Sequence, residues 1–350
     1  GGVGAARFFA RAGANVLVTD LKEKEELSSS INELRDFNNV EYILGRHRFE
    51  DFKKADLVIK GPSIPFSSKY IKEAQRNGVL VDTDIGFFFR YCKAPIIGIT
   101  GTKGKSTVAS LIAHILKEKY KDVILAGNIR TSVLDELEGA KEESLVVLEL
   151  SSWQLAGLGI HKVSPHLAVI TNIMKDHMNY YGSMEEYVKD KKIIFKYQKK
   201  EDVLILNKDD PVVHSFANEA RARVYFFSKE DKDKSSLIEG LKLRGEHNRI
   251  NALAAVTVGL IYRVPREAIR SAVAGFKGVP FRMEKIAEIS GISFYNDTAA
   301  TIPEATCAAL DSFSEPVVLI AGGAEKNLSF EKLSKKIAFR VKALVLLEGE

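Results

Sequence analysis

An α/β fold built on parallel sheet is what this sequence predicts, and three observations predict it. Short apolar runs alternate with helical patterns from Val16 onward, the order that lays helices over a parallel sheet. Several of the runs, among them Ile96–Thr100, Leu145–Leu150 and Leu167–Ile170, are apolar almost throughout, as strands covered on both faces are. One of them passes through a glycine-rich turn straight into a helical stretch, the arrangement by which such sheets bind phosphate. The 350 residues are 45% hydrophobic and 28% charged, which exceeds one domain of roughly 100–200 residues and sets aside disordered, collagen-like and coiled-coil classes.

The chain opens on Gly1-Gly2-Val3-Gly4, ahead of the amphipathic stretch Ala5–Ala12 and a strand at Val16–Thr19. A glycine turn that starts a helix normally follows a buried strand, so the expectation is that a strand precedes Gly1 in the whole protein. Further strands are expected at Asp56–Ile59, Val79–Val81, Ile96–Thr100, Val123–Leu125, Leu145–Leu150, Leu167–Ile170, Val203–Leu206, Val224–Phe227, Val317–Ala321 and Ala343–Leu347. Helical periodicity marks Ser67–Asn77, Lys105–Lys119, Met184–Tyr197, Asn248–Tyr262, Arg266–Ala274, Pro303–Ser312 and Phe330–Ala338. Breaks at Tyr91–Pro95 and Gly275–Pro280 divide the chain into three domains, 1–92, 93–278 and 279–350. The third begins with a hairpin-like pair, Glu284–Ile289 and Ile292–Tyr295, and is short enough to be expected incomplete.

Lys and Arg number 51 against 46 Asp and Glu, a formal charge of +5 spread along the chain rather than gathered in blocks. No nucleic-acid partner is implied, and anionic small molecules remain open. Cys92 and Cys307 cannot build a disulfide framework, which fits a reducing cytoplasm. No run approaches the ~18 apolar residues of a membrane span, so no membrane partner is expected.

The strongest chemical signal is Ile96-Ile-Gly-Ile-Thr-Gly-Thr-Lys-Gly-Lys-Ser-Thr107. Amides of the turn at Gly101, Thr102, Lys103 and Gly104 would point at phosphate oxygens, Lys105 adds a point charge, and Ser106 offers a hydroxyl to Mg²⁺. The spacing is a variant, since glycine falls at 98, 101 and 104 where the common loop has it at 99. Glu149 ends an apolar strand, where a carboxylate is costly unless it meets a cation; a structural ion pair is the alternative. His177, beyond the strand Leu167–Ile170, is a metal-ligand candidate or a structural histidine. Lys191 lies in Tyr187-Val-Lys-Asp-Lys-Lys-Ile-Ile194, which by itself reads as a solvated helix face. Asn248 and Asn251 fall three apart on one helical face and suit a nucleobase or phosphate edge, with helix capping by Asn248 as the alternative. Phe281-Arg282 is expected to begin a strand whose partner ends at Asp297, bringing an arginine and a carboxylate either to a ligand or into a surface ion pair.

Taken together, Thr100-Gly-Thr-Lys-Gly-Lys-Ser-Thr107, Glu149-Leu-Ser-Ser152, Asp176-His-Met178, Gly245-Glu-His-Asn-Arg-Ile-Asn-Ala-Leu-Ala254, Phe281-Arg282 and Asn296-Asp-Thr298 resemble, in order and spacing, the Mur ligases. These are ATP-dependent amide ligases of peptidoglycan synthesis, akin to folylpolyglutamate synthase, and the resemblance covers nearly the whole chain. The opening glycines, Gly61-Pro-Ser-Ile-Pro65 and Tyr295-Asn-Asp-Thr298 look most like the D-glutamate-adding branch. The resemblance implies a Rossmann-like N-terminal domain, a central P-loop-type ATPase domain and a partial Rossmann-like C-terminal domain. It implies ATP and Mg²⁺ as cofactors, UDP-N-acetylmuramoyl-L-alanine and D-glutamate as substrates, and a monomer.

By the same resemblance Lys105, His177 and Lys191 are catalytic, with ATP held by residues 101–107 together with Asn248, Asn251, Arg282 and Asp297. Ser106, Glu149, His177 and Lys191 would form the metal site, Lys191 as a carbamate. Helix period sets Lys189 and Lys192 at about 200° and 100° from Lys191, so one lysine of the three should face the site. Gly2, Val3 and Asp20 would meet the uridine diphosphate, Asn128, Ser151 and Gln154 the muramoyl-peptide path, and Lys326 the D-glutamate carboxylate. The chain departs from the family where Asn179-Tyr180 replaces Asp-Arg and Ala299 replaces a lysine, removing positive charge near the substrate. Another Mur ligase or a folylpolyglutamate synthase is the near alternative. A P-loop phosphotransferase or a non-catalytic nucleotide-binding module explains the phosphate loop but leaves Glu149, His177 and His247-Asn248 without a purpose.

Overall fold

The structure is a computed structural model, and it describes residues 1–128, 132–176, 180–323 and 328–347. It forms two compact units, residues 1–109 with 119–226, and residues 110–118 with 227–350.

The first unit begins with α1 (Gly2–Arg11), β1 (Val16–Thr19), α2 (Ser28–Asn32), β2 (Val40–Ile43), α3 (Phe49–Lys54), β3 (Leu57–Lys60), α4 (Lys69–Arg76), β4 (Leu80–Thr83) and α5 (Asp84–Tyr91). β1 pairs in parallel with β2, and β3 with β4. Phe52, Ile71, Ala74, Val79 and Val81 form a small core beneath α3 and α4. β2 has no counterpart among the expected strands; it is four residues long and carries Glu41 in its middle.

The chain continues through β5 (Ile96–Thr100), α6 (Lys105–Leu116), β6 (Val123–Gly127), β7 (Leu145–Glu149), α7 (Ser152–His161), β8 (Leu167–Ile170), α8 (Met184–Lys196), β9 (Val203–Asn207), α9 (Pro211–Ser215) and β10 (Arg223–Phe227). These strands make a six-stranded sheet in the order β10-β9-β8-β5-β7-β6, with β5 parallel to both β7 and β8, β6 parallel to β7, and β8 parallel to β9. Every residue of β5, β7, β8 and β9 is buried, which is why those runs contain Val, Ile and Leu at successive positions. β5 is central, and its two neighbours follow it in the chain on opposite sides, so the ends of β5, β7 and β8 border a single crevice. Ala5, Ile85 and Phe88 join Ile96, Leu148 and Leu155 in one core.

In the second unit, α10 (Lys232–Ser235), α11 (Glu246–Ile261) and α12 (Arg266–Gly275) precede the antiparallel hairpin of β11 (Glu284–Ile289) and β12 (Ile292–Asn296). α13 (Pro303–Asp311), β13 (Val317–Ala321), α14 (Glu331–Arg340) and β14 (Val341–Leu346) follow, with β13 parallel to β14. Among the described residues no helix is long and apolar enough to cross a membrane.

Candidate active site

The glycine turn after β5 has the shape its sequence asks for. Gly101 adopts φ +148°, and a Cβ there would fall 1.9 Å from the Thr171 hydroxyl, so a side chain is excluded both by backbone conformation and by space. The turn is fastened to the segment that follows β8. Asn172 Oδ1 accepts from the Lys103 amide at 2.8 Å and its Nδ2 donates to the Lys103 carbonyl at 3.0 Å. The Thr171 hydroxyl donates to the same carbonyl at 2.7 Å, and the Thr102 amide donates to the Asn172 carbonyl at 2.9 Å. Sequence reasoning missed Thr171 and Asn172, although they occupy the strand-end position at which crevice residues sit. Lys105 Nζ donates to the Thr102 carbonyl at 2.8 Å, the Lys103 ammonium lies 3.6 Å from Asp176, and Ser106 is buried in the first turn of α6 beside Thr107.

Glu149 ends β7 with 2% of its surface exposed. Its Oε1 accepts from Asn128 Nδ2 at 3.0 Å, while Oε2 is buried with no hydrogen-bond partner among the described residues. The backbone beside it is equally close: Gly127 holds φ +103°, and a Cβ would come within 2.3 Å of the Glu149 carbonyl oxygen. The structural ion pair is thereby removed as an explanation, because no lysine or arginine among the described residues pairs with Glu149. A buried carboxylate oxygen with nothing to accept from is a place for a cation.

α8 brings Lys191 into the same crevice. The side chain is 2% exposed, so the solvated-face reading of this helix fails at one position. Its Nζ donates to the Gly101 carbonyl at 2.9 Å and the Thr100 hydroxyl at 3.3 Å, and lies 4.8 Å from the centre of the Tyr187 ring. Burial, reinforced by the charge of Lys105, holds the amine well below the usual lysine range, against the pull of Asp176, Glu149 and Asp190. Lys189 is exposed and Lys192 pairs with Glu219 at 2.6 Å, so one lysine of the three faces inward. Tyr187 shares a 3.1 Å hydroxyl contact with Thr102, and burial pushes its phenol up to about 12.

Other expected residues are placed less simply. Ser151 and Gln154 form a capping box at the start of α7, Gln154 Oε1 accepting from the Ser151 amide at 3.0 Å. Trp153, in the first turn of α7, stands edge-on to Tyr180 with ring centroids 5.5 Å apart. Gly2 and Val3 lie in the first turn of α1, and Asp20 follows β1, accepting from the Lys22 amide at 2.9 Å. His177, Asn179 and Lys326 lie outside the described residues. Among the described residues no group of three or more His, Cys, Asp or Glu gathers as a metal cluster.

In the second unit, Asn248 and Asn251 do share a helix face, with Asn251 Nδ2 at 3.4 Å from Asn248 Oδ1, both buried. Asn248 is not the cap, since Gly245 precedes α11 and the side-chain Nδ2 of Asn248 donates back to the Arg244 carbonyl at 2.7 Å. Phe281 and Arg282 do not begin a strand: Phe281 has φ +65° and Met283 +47°, a turn that delays β11 to Glu284. The turn still serves Asp297, whose Oδ1 accepts from the Met283 amide at 2.9 Å. Burial raises the Asp297 carboxyl, with Arg282 and His247 opposing, and burial lowers His247.

Comparison with known proteins agrees with this geometry. Residues 99–259 match the Mur ligase middle domain and residues 1–82 the Mur ligase MurD-like N-terminal domain. The chain is 39% identical to the UDP-N-acetylmuramoylalanine–D-glutamate ligase of Roseiflexus sp., covering 100% of this chain and 81% of that protein. It is 34% identical to the enzyme of the same name from Clostridioides difficile, over 99% of this chain and 80% of that one. In structure it is similar to UDP-N-acetylmuramate-alanine ligase MurC of Thermotoga maritima, with TM-score 0.65, 20% identity, 100% of this chain and 89% of that chain covered. It is also similar to MurF ligase of Thermotoga maritima solved with ADP, with TM-score 0.59, 20% identity and 84% of each chain covered. At that identity the two structures speak for the fold; on the sequence relatives and both family matches, this chain belongs to the Mur ligase family.

Proposed function

We propose that this chain is an ATP-dependent amide ligase that joins D-glutamate to UDP-N-acetylmuramoyl-L-alanine and releases ADP and phosphate. One observation carries the reading: Glu149, whose Oε2 has no hydrogen-bond partner among the described residues, ends β7 beside β5, and the buried amine of Lys191 donates to the loop that follows β5. Relatives 34–39% identical bear the name of that ligase.

In this chemistry an oxygen of the acceptor carboxylate attacks the γ-phosphorus of ATP and ADP leaves. The amine of D-glutamate then adds to the acyl phosphate carbonyl, and the tetrahedral intermediate expels phosphate. Charge gathers on phosphoryl oxygens in the first step, and Lys105 with the amides of residues 101–104 is the set that would neutralise it. The donor set fits Mg²⁺, because the buried Glu149 oxygen and the Ser106 hydroxyl are hard oxygen ligands and this ion keeps several waters and phosphate oxygens for itself. Ser106, Glu149 and His177 would hold it, and when bound it supplies charge compensation for the phosphates.

Lys191 is assigned as a carbamate. Burial favours its neutral amine, the form whose lone pair bonds to CO₂ with loss of a proton, and the product is one more carboxylate for the cation. Asn248, Asn251, Arg282 and Asp297 are assigned to the nucleotide of ATP, supported by the shared face of the two asparagines and the turn that serves Asp297. Gly2 and Val3, at the start of α1, and Asp20, at the end of β1, are assigned to the uridine diphosphate. Asn128, Ser151 and Gln154 are assigned to the muramoyl-peptide path and Lys326 to D-glutamate. The organisation we propose is three domains, 1–92, 93–278 and 279–350.

The test is phosphate release by the full-length protein with ATP, UDP-N-acetylmuramoyl-L-alanine and a panel of amino acids, each component omitted in turn. Release that requires the acceptor and D-glutamate together is expected. Phosphorylated acceptor accumulating without any amine requirement would make the protein a phosphotransferase instead.

A further inference from the structure

Asp82, in β4, is a carboxylate with 1% of its side chain exposed, and the groups that answer it come from two helices. Its Oδ1 accepts from the Thr83 amide at 2.7 Å and lies 2.7 Å from Nε2 of His161, the last residue of α7. Its Oδ2 has no hydrogen-bond partner among the described residues and stands 3.4 Å from the guanidinium of Arg90, in the last turn of α5. Arg90 also lies 3.1 Å from Nδ1 of His161, which closes the three side chains into a cycle. A guanidinium has donors and no acceptor, so Nδ1 must accept from Arg90. His161 is thereby a neutral imidazole whose proton sits on Nε2 and is donated to Asp82.

The backbone makes room for this cycle. A Cβ on Gly86, in α5, would fall 2.3 Å from Asp82 Oδ1 and 2.8 Å from His161 Nε2, so any side chain there would push the pair apart. One turn before His161, a Cβ on Gly157 would fall 2.7 Å from the Thr83 hydroxyl, so α7 approaches the end of β4 at two successive turns. α5 in turn packs on α1, with Phe87 edge-on to Phe8 and Phe9 at 5.8 and 5.0 Å. The cycle is therefore a polar fastening between α5 and α7, and through α5 it reaches α1. The two outer helices start at Gly2 and at the Ser151 cap.

We propose that Asp82, His161 and Arg90 are positioning residues for the acceptor: by pinning α7 to α5 they fix the spacing between the residues assigned to its nucleotide end, Gly2 and Val3, and those assigned to its muramoyl-peptide end, Ser151 and Gln154. The inference rests on the proposed acceptor. ATP is outside the reach of this fastening, because the loop at residues 101–104 follows β5 and is clamped by Thr171 and Asn172. Glu149 is likewise held within the sheet, where β7 pairs with β5 and β6.

Steady-state kinetics of the full-length protein test it with three variants. His161→Phe deletes both imidazole bonds, Gly86→Ala forces the pair apart from the other helix, and His161→Gln again offers one donor and one acceptor. His161→Phe and Gly86→Ala should each raise KM for the acceptor about five- to tenfold, with kcat and KM for ATP within about twofold of wild type. His161→Gln should recover part of the loss. Equal rises in both KM values would show that the cycle only supports the fold, and an unchanged acceptor KM in folded His161→Phe or Gly86→Ala would equally overturn the proposal. Nitrogen NMR of histidine-labelled protein above neutral pH reads the cycle itself: His161 should carry its proton on Nε2, and a proton on Nδ1 would overturn the arrangement. Failure of the ligase reading looks different: wild-type protein would release no phosphate with acceptor and D-glutamate, and the proposal would fall with it while the Nε2 proton of His161 remained.

Discussion

Lys105 and Lys191 repel one another across the phosphate loop, and the cost falls on the buried member of the pair. Lys105 is the charge we propose for the phosphates, so Lys105→Ala should lower kcat/KM by on the order of 10²–10³ in phosphate release. Its unfolding midpoint should stay near that of the wild type, since Nζ donates to a turn carbonyl rather than to a side chain of the core. Lys191→Ala should be inactive as well, but for a reason that chemistry can repair. Short carboxylic acids such as acetate or propionate should restore part of its activity by occupying the space of the proposed carbamate, and Lys189→Ala should behave as wild type. A fully active Lys191→Ala protein would remove the carbamate from the mechanism. Of the candidate residues, those with an extreme of chemistry were legible in sequence: a lysine after a glycine turn, and a carboxylate ending an apolar strand. Asn172 was not, because its work is to bond the backbone of a loop 69 positions away, which no local pattern records.

The clamp between the loop after β5 and the segment after β8 is what gives the phosphate loop a shape before ligand arrives. Asn172→Ala deletes two of its hydrogen bonds, worth about 0.5–1.5 kcal/mol each. KM for ATP should rise by roughly tenfold with a smaller change in kcat, measured under saturating acceptor and D-glutamate; a larger fall in kcat than rise in KM would assign Asn172 to the chemical step. The same elements show how legible the fold was. Strands β5, β7, β8 and β9 declare themselves because burial on both faces demands unbroken apolar runs. β2 carries no such signature, and α5 hides its period by being apolar on most sides, from Ile85 to Phe89. Phe281-Arg282 was misread for the opposite reason, since a positive φ at a phenylalanine has no sequence signal.

Stability against pH belongs to the molecule as a whole, and Lys60 contributes to it with a definite sign. Its folded value of about 8 lies below the ordinary 10.5, so between those limits the unfolded chain binds more protons than the folded one. Stability from this group therefore rises as pH climbs from about 8 to about 10.5, and below 8 its burial as a charge opposes folding. Denaturant melts across that window should show a steeper rise for wild type than for Lys60→Met, and parallel curves would refute the assignment. The core of the first unit was less legible than its elements, because no local pattern records that Ala5, Ile85 and Phe88 pack with the central sheet. The protein has a single tryptophan, Trp153, four positions after Glu149 and edge-on to Tyr180. All indole fluorescence of this chain accordingly originates in the first turn of α7, just after the strand that ends on Glu149, making the unlabelled protein its own optical reporter. A stopped-flow trace of its emission should time acceptor arrival at the proposed muramoyl-peptide path, with no other indole of this chain contributing.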